Sequence, residues 1–132
     1  MNYLIDTNIC IYIMNKRPAG VIQRLRQIGI GQIFISSITV SELFYGVFKS
    51  SRKEENTKRL IEFLAPFNIL SFDEKAARDY GKIRSNLEKK GQVIGPMDLL
   101  IAAHALSNGL IVITNNEKEF KRVELLKVEN WS

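Results

Sequence analysis

The feature that most constrains this chain is a set of short, unbroken apolar runs separated by segments of helical period. YLI (Tyr3–Ile5), IFIS (Ile33–Ser36) and LIVIT (residues 110–114) are the clearest of them. A continuous apolar run has no polar face to turn to water, so as a strand it has to be covered on both sides. Between the runs, Val40, Leu43, Phe44 and Val47 fall at i, i+3, i+4 and i+7, and Val21, Ile22, Leu25 and Ile28 form a similar stripe. That spacing is helical. Strands that alternate with helices predict a parallel sheet covered on both faces.

Read in full, the chain predicts strands at Tyr3–Ile5, Ile33–Ser36, 67–72, 110–114 and 125–128. A helix carrying Ile9, Ile11, Ile13 and Met14 stops before Pro18, and the stripe at 21–28 ends at Gly29 and Gly31. Thr39 is positioned to cap the helix of Val40–Val47, which a solvated hinge at 49–56 separates from a helix at 57–65. Asp73 starts a long polar helix to about Lys90, with Ala76, Ala77, Tyr80, Ile83 and Leu87 inward. Residues 97–106 are apolar almost all round, as in a helix buried between layers, and a short turn is expected at 117–120. The resulting order is β-α-α-β-α-α-β-α-α-β-α-β, one α/β sandwich spanning residues 1–132.

A chain of 132 residues can build a real core. No apolar run approaches a membrane span, and no secretion signal opens the sequence. A lone cysteine, Cys10, excludes an internal disulfide framework and fits a reducing cytoplasm; among isoleucines it reads as core filler. With one histidine and one cysteine, a zinc site of the usual kind is disfavoured.

Charge is unevenly placed. Residues 1–53 hold seven basic side chains and two acids, a net +5 that is the excess of the whole chain; beyond residue 53 the signs balance. Such a bias attracts polyanions, nucleic acid among them. The two acids of the basic stretch, Asp6 and Glu42, each stand in apolar surroundings.

In open parallel sheets ligands bind beyond the carboxyl ends of the strands. Asp6 ends the first strand, Glu42 follows the second within about one helical turn of its helix start, and Asp98 opens the buried helix. Thr114, Asn115 and Asn116 end LIVIT, with Glu117 and Glu119 just beyond. Singly, each has an ordinary reading: Asp6 a helix cap, Asp98 a partner for a helix dipole, Glu42 a solvated residue, Asn115–Asn116 a turn. Together they deliver acids to one edge. Two charges about 4 Å apart repel by roughly 4 kcal/mol at an effective dielectric near 20, so converging acids call for a proton or a cation. Hard oxygen donors favour Mg²⁺ or Mn²⁺, and metal-assisted phosphodiester hydrolysis is the reaction such a site suggests.

LIDTN, SSITVSELFYG, VIGPMDLLIAAHAL and ITNNEKEF, closing on ENW, resemble in order and spacing the PIN domain, and more narrowly the VapC-type toxins of bacterial type II toxin–antitoxin modules. The resemblance covers nearly the whole chain. It implies a three-layer sandwich with a five-stranded parallel sheet flanked by helices, and a Mg²⁺-dependent endoribonuclease in which Mn²⁺ substitutes. It implies that Asp6 and Asp98 hold the metal directly, that Glu42 binds through water or orients the nucleophile, and that Thr7 and Thr114 support by hydrogen bonding. At the fourth acidic position many members have Asp where this chain has Asn116; Glu119, near the same helical face, is the candidate replacement. A three-acid site predicts one tightly held metal rather than two.

The same resemblance implies an RNA substrate, tRNA and within the close subgroup initiator tRNA, together with a cognate VapB-type antitoxin. It implies a homodimer, contact with DNA only through the antitoxin, and no membrane association. Ile11, Ile13 and Phe48 are candidate dimer contacts. His104, inside an apolar helix, reads as packed or hydrogen-bonded rather than catalytic. Arg17, Arg24, Lys49, Arg52 and Lys53 could steer RNA through its phosphates or simply solvate helix faces. Two rivals stand beside the nuclease. One is an inactive docking module, which Asn116 permits. The other is a receiver-like domain, which lacks its second Asp because Thr7 and Asn8 follow Asp6.

Overall fold

Each central strand feeds two cores at once, which explains why those runs are apolar without alternation. The computed structural model describes residues 1–132. Its strands are β1 (Tyr3–Ile5), β2 (Ile33–Ser36), β3 (Asn68–Leu70), β4 (Ile111–Ile113) and β5 (Val128–Glu129). Tyr3, Ile5, Ile33, Ile35, Ile111 and Ile113 join the core beneath helices α1 (Thr7–Met14), α2 (Ala19–Ile28), α3 (Ser37–Lys49) and α4 (Lys53–Leu64). Leu4, Phe34 and Val112, one residue out of phase, join the core beneath α5 (Glu74–Lys89), α6 (Pro96–Ser107) and α7 (Glu117–Phe120). The architecture is the expected three-layer α/β sandwich.

The sheet is parallel throughout, in the order β3-β2-β1-β4-β5. From β1 the chain steps outward to β2 and β3, then returns to the other side of β1 for β4 and β5. The direction reverses between β1 and β4. Loops leaving the carboxyl ends of these two strands diverge, and the crevice between them is where such sheets bind ligands.

Five expectations are corrected. The fifth strand is not 125–128 but Val128–Glu129: Leu125 adopts a left-handed backbone (φ 68°) and is 91% exposed, so the chain turns there and pairs with β4 only afterwards. The third strand contracts to Asn68–Leu70, because the N–H of Phe72 leaves the ladder to donate to Ser37 Oγ at 3.0 Å. Ser36, not Thr39, caps α3, accepting the N–H of Ile38 at 3.0 Å; Thr39 lies a turn inside the helix, fully buried. Helix α4 begins at Lys53, where Glu54 and Glu55 face the positive end of its dipole, leaving only three residues of the expected hinge. Ala77 faces solvent rather than the core, and a 3₁₀ turn at Ile30–Gln32 precedes β2.

Leu4 sits at the centre of the sheet with no exposed surface. Leu4→Ala is expected to cost about 3 kcal/mol, through lost burial and a residual cavity, and to lower the thermal midpoint by roughly 10 °C. Ile69→Ala, on the half-exposed edge strand β3, should change stability by less than about 1 kcal/mol in the same melts.

Candidate active site

Asp6 follows β1 directly, and its N–H still donates to Ile113 O at 3.0 Å, which extends the β1–β4 ladder by one rung. Its Oδ1 accepts the N–H of Ile9 at 3.0 Å, making it the N-cap of α1. The residue is only 5% exposed. Burial pushes this carboxyl up, against the pull of the Thr114 hydroxyl and the Ile9 amide, and the charge of Glu42 adds to the rise. The cap reading therefore holds for one oxygen.

Thr7, the first residue of α1, donates from Oγ1 to Glu42 Oε1 at 2.6 Å, and the buried Thr39 hydroxyl lies 3.4 Å from Thr7 Oγ1. The first turn of α1 and the second turn of α3 are thus clasped together on one wall of the crevice. Glu42 is half-buried, not solvated.

On the other wall, Asp98 stands in the first turn of α6, which Pro96 opens. The Asn116 side-chain amide donates to Asp98 Oδ2 at 3.2 Å and to Glu119 Oε2 at 2.6 Å, while its backbone N–H donates to Thr114 Oγ1 at 2.9 Å. Asn116 is therefore a donor between two carboxylates, where an acid would be a third charge. Burial, followed by the adjoining Glu119 carboxyl, raises Asp98 to about 7, with Asp6 adding a smaller push. Glu119 is held low by the hydrogen bond it accepts from Asp98. A proton shared by the pair is therefore favoured on Asp98.

The proton has a consequence for stability. Asp98 binds its proton more tightly folded than unfolded, so across the interval from the ordinary carboxylate range to about 7 the unfolded state holds fewer protons. Stability of the chelator-treated protein should fall as pH rises through that window. Thermal melts should show a drop on the order of 5 °C between pH 5 and pH 8, much smaller in Asp98→Asn, where only the raised Asp6 carboxyl remains.

The acids thus influence one another across the whole crevice: Asp6 with Glu42, Asp98 with Asp6 and with Glu119. No three acidic, imidazole or thiol side chains close into a ready-made cage. An open oxygen site with one or two protein carboxylates and water completing the shell is how Mg²⁺ is commonly held. Nitrogen and sulfur donors are withdrawn: Cys10 lies inside the core with its thiol pushed up by burial, and the His104 ring is engaged with Ser36. A groove of about 240 Å³ opens beside Thr7 and Glu42, running between α1, α3 and α4 past Ile11, Met14, Val47 and Arg59.

Every residue expected at the site lies at this edge, in two clasped sets: Asp6, Thr7 and Glu42 on one side, Asp98, Thr114, Asn116 and Glu119 on the other. Sequence reasoning missed two members. Thr39 was read as a cap, although the Ser36–Ser37 pair before it was a stronger start signal. The Asn115 amide donates to Tyr12 Oη at 2.7 Å, joining the end of β4 to α1; nothing in a turn-forming Asn foretold it.

An acidic crevice at the switch point of a parallel α/β sheet defines a protein whose ligand is drawn to carboxylate oxygens. The PIN domain family matches residues 3–126. Ribonuclease VapC2 of Rickettsia felis is 46% identical over 99% of this chain and 98% of its own length. The tRNA(fMet)-specific endonuclease VapC of Shigella flexneri is 42% identical, over 100% of this chain and 99% of that protein. Among solved structures, VapBC2 of Rickettsia felis bound to a DNA fragment from its promoter superposes with a TM-score of 0.92 at 44% identity, covering 100% of both chains. The chain belongs to the PIN-domain family and, within it, to the VapC ribonucleases.

Proposed function

We propose that this ribonuclease is a Mg²⁺-dependent endoribonuclease toxin that hydrolyses phosphodiester bonds in tRNA, initiator tRNA in particular, and that a cognate VapB-type antitoxin restrains it. The observation that carries the chemistry is the gathering of Asp6, Glu42, Asp98 and Glu119 at the switch point, with one proton retained on Asp98 near neutral pH. That excess of negative charge is relieved by a hard dication. Asp6 and Asp98 would hold it, giving up the Asp98 proton; when bound, it supplies a lowered pKa for water and a clamp on the phosphate. Glu42, oriented by Thr7, is positioned to take the proton of the attacking water. Thr114 shapes the Asn116 turn, and Asn116 holds Asp98 and Glu119 in place.

The choice of initiator tRNA is supported by the name of the Shigella flexneri relative, and the antitoxin by the VapBC assemblies among the similar structures. The groove beside Glu42 gives an extended antitoxin segment access to the acids. For the homodimer, Ile11 and Phe48 are exposed at 40% and 60%, whereas Ile13 packs on the α1–α4 core and is withdrawn as a contact. No helix is long and apolar enough to cross a membrane; a cytoplasmic location is part of the proposal.

The test is cleavage of labelled initiator tRNA against elongator tRNAs, with Mg²⁺, with Mn²⁺ and with chelator, before and after adding antitoxin. Metal-dependent cleavage of initiator tRNA that antitoxin suppresses is the expected result. Equal cutting of all tRNAs would overturn the substrate choice, and undiminished cutting in chelator would overturn the metal.

A further inference from the structure

His104 is a buried ionisable group for which the proposed chemistry has no use, and it stands where two of the site's helices are joined. It lies six residues after Asp98 in α6 and is 1% exposed. Its Nδ1 is 2.7 Å from Ser36 Oγ. Strand alternation explains the meeting: Ile33 and Ile35 point to the α1–α4 core and Phe34 to the α5–α7 core, so Ser36 also faces α6. The same oxygen caps α3 by accepting the N–H of Ile38.

The ring's state follows from its partners. The Asp73 carboxylate and the Ser71 carbonyl both favour a proton on the ring. With Nδ1 turned to Ser36, the neutral tautomer protonated at Nε2 leaves Nδ1 as an acceptor. In that tautomer the Ser36 O–H donates to His104, which aims a lone pair at Ile38 N–H. Phe72 meets the ring edge-on at 5.3 Å, and its own N–H holds Ser37 Oγ. The junction of β2 and α3 is thus held by two contacts, from α6 and from the segment after β3.

We propose that His104 is a positioning residue: through Ser36 it fixes the first turn of α3, and so sets Glu42 against Thr7 in register with Asp98 at the head of His104's own helix. The kinetic part of this inference rests on the ribonuclease reading above; the structural part does not.

Two substitutions separate the ring's two nitrogens. His104→Asn places an amide oxygen near the Nδ1 position, where it can accept from Ser36. His104→Gln reaches the Nε2 end and leaves Ser36 without an acceptor. His104→Gln and Ser36→Ala should each lower kcat about 10–100-fold with KM within about twofold, and the double variant should be no worse than either. His104→Asn should stay within about threefold of the unaltered enzyme. Amide hydrogen exchange over residues 38–42 should quicken in His104→Gln and Ser36→Ala but not in His104→Asn. Equal losses in the Asn and Gln variants, additive losses in the double variant, or unchanged exchange in His104→Gln would overturn the proposal. If the unaltered chain cuts no RNA, the ribonuclease reading fails, and the exchange measurement alone decides the role of His104.

Discussion

Asp98→Asn should leave a folded protein whose rate of RNA cleavage is down by at least about 10³-fold, equivalent to about 4 kcal/mol of transition-state stabilisation. The substitution is close to isosteric with the protonated acid. An asparagine oxygen still accepts from Asn116, and its amide can donate to Glu119 where the Asp98 O–H does. Packing and hydrogen bonding are kept, so the thermal midpoint at neutral pH should hold or rise. What disappears is the negative charge that a cation requires. Single-turnover cleavage of labelled tRNA alongside thermal melts separates the two effects. A folded Asp98→Asn enzyme with full activity would remove α6 from the chemistry. Asp6→Asn should behave alike, because an amide oxygen preserves the α1 cap to Ile9 while the ligand charge is lost.

Manganese affinity is expected to climb about tenfold per pH unit from pH 5 to about 7 and to level off above it, close to 100-fold overall. The sign follows from competition. Asp98 holds a proton up to about 7, so a cation that uses its oxygens must displace that proton at lower pH and need not at higher pH. Calorimetry in buffers of differing ionisation enthalpy should detect up to one proton released per ion below pH 7. Asp98→Asn should bind weakly with no such slope. A flat profile in the unaltered protein would mean that the cation sits away from Asp98.

The sheet and most helices were legible because their signals are local. Unbroken runs such as LIVIT have few ways to be satisfied except in a doubly covered strand, and the Val40–Val47 stripe specifies a helix face. The failures were at ends. Leu125 is apolar yet almost wholly exposed, because a left-handed turn there delays pairing with β4. Asp6, Glu42 and Asp98 could be assigned to one edge because parallel strands fix where carboxyl ends lie. The pairing within that edge could not. The bond from Thr7 to Glu42 spans 35 residues and that from His104 to Ser36 spans 68, distances at which composition and periodicity carry no information. In the sequence Asn116 is only an uncharged residue at an acidic position; the folded arrangement turns its amide into a donor between two carboxylates.

The most direct test is crystallographic. Crystals of the unaltered protein soaked in Mn²⁺ at pH 8 should show one strong anomalous peak with oxygens of both Asp6 and Asp98 about 2.1 Å away. A saturated crystal with its manganese elsewhere, or with neither carboxylate in contact, would contradict the proposal that these two acids hold the catalytic ion.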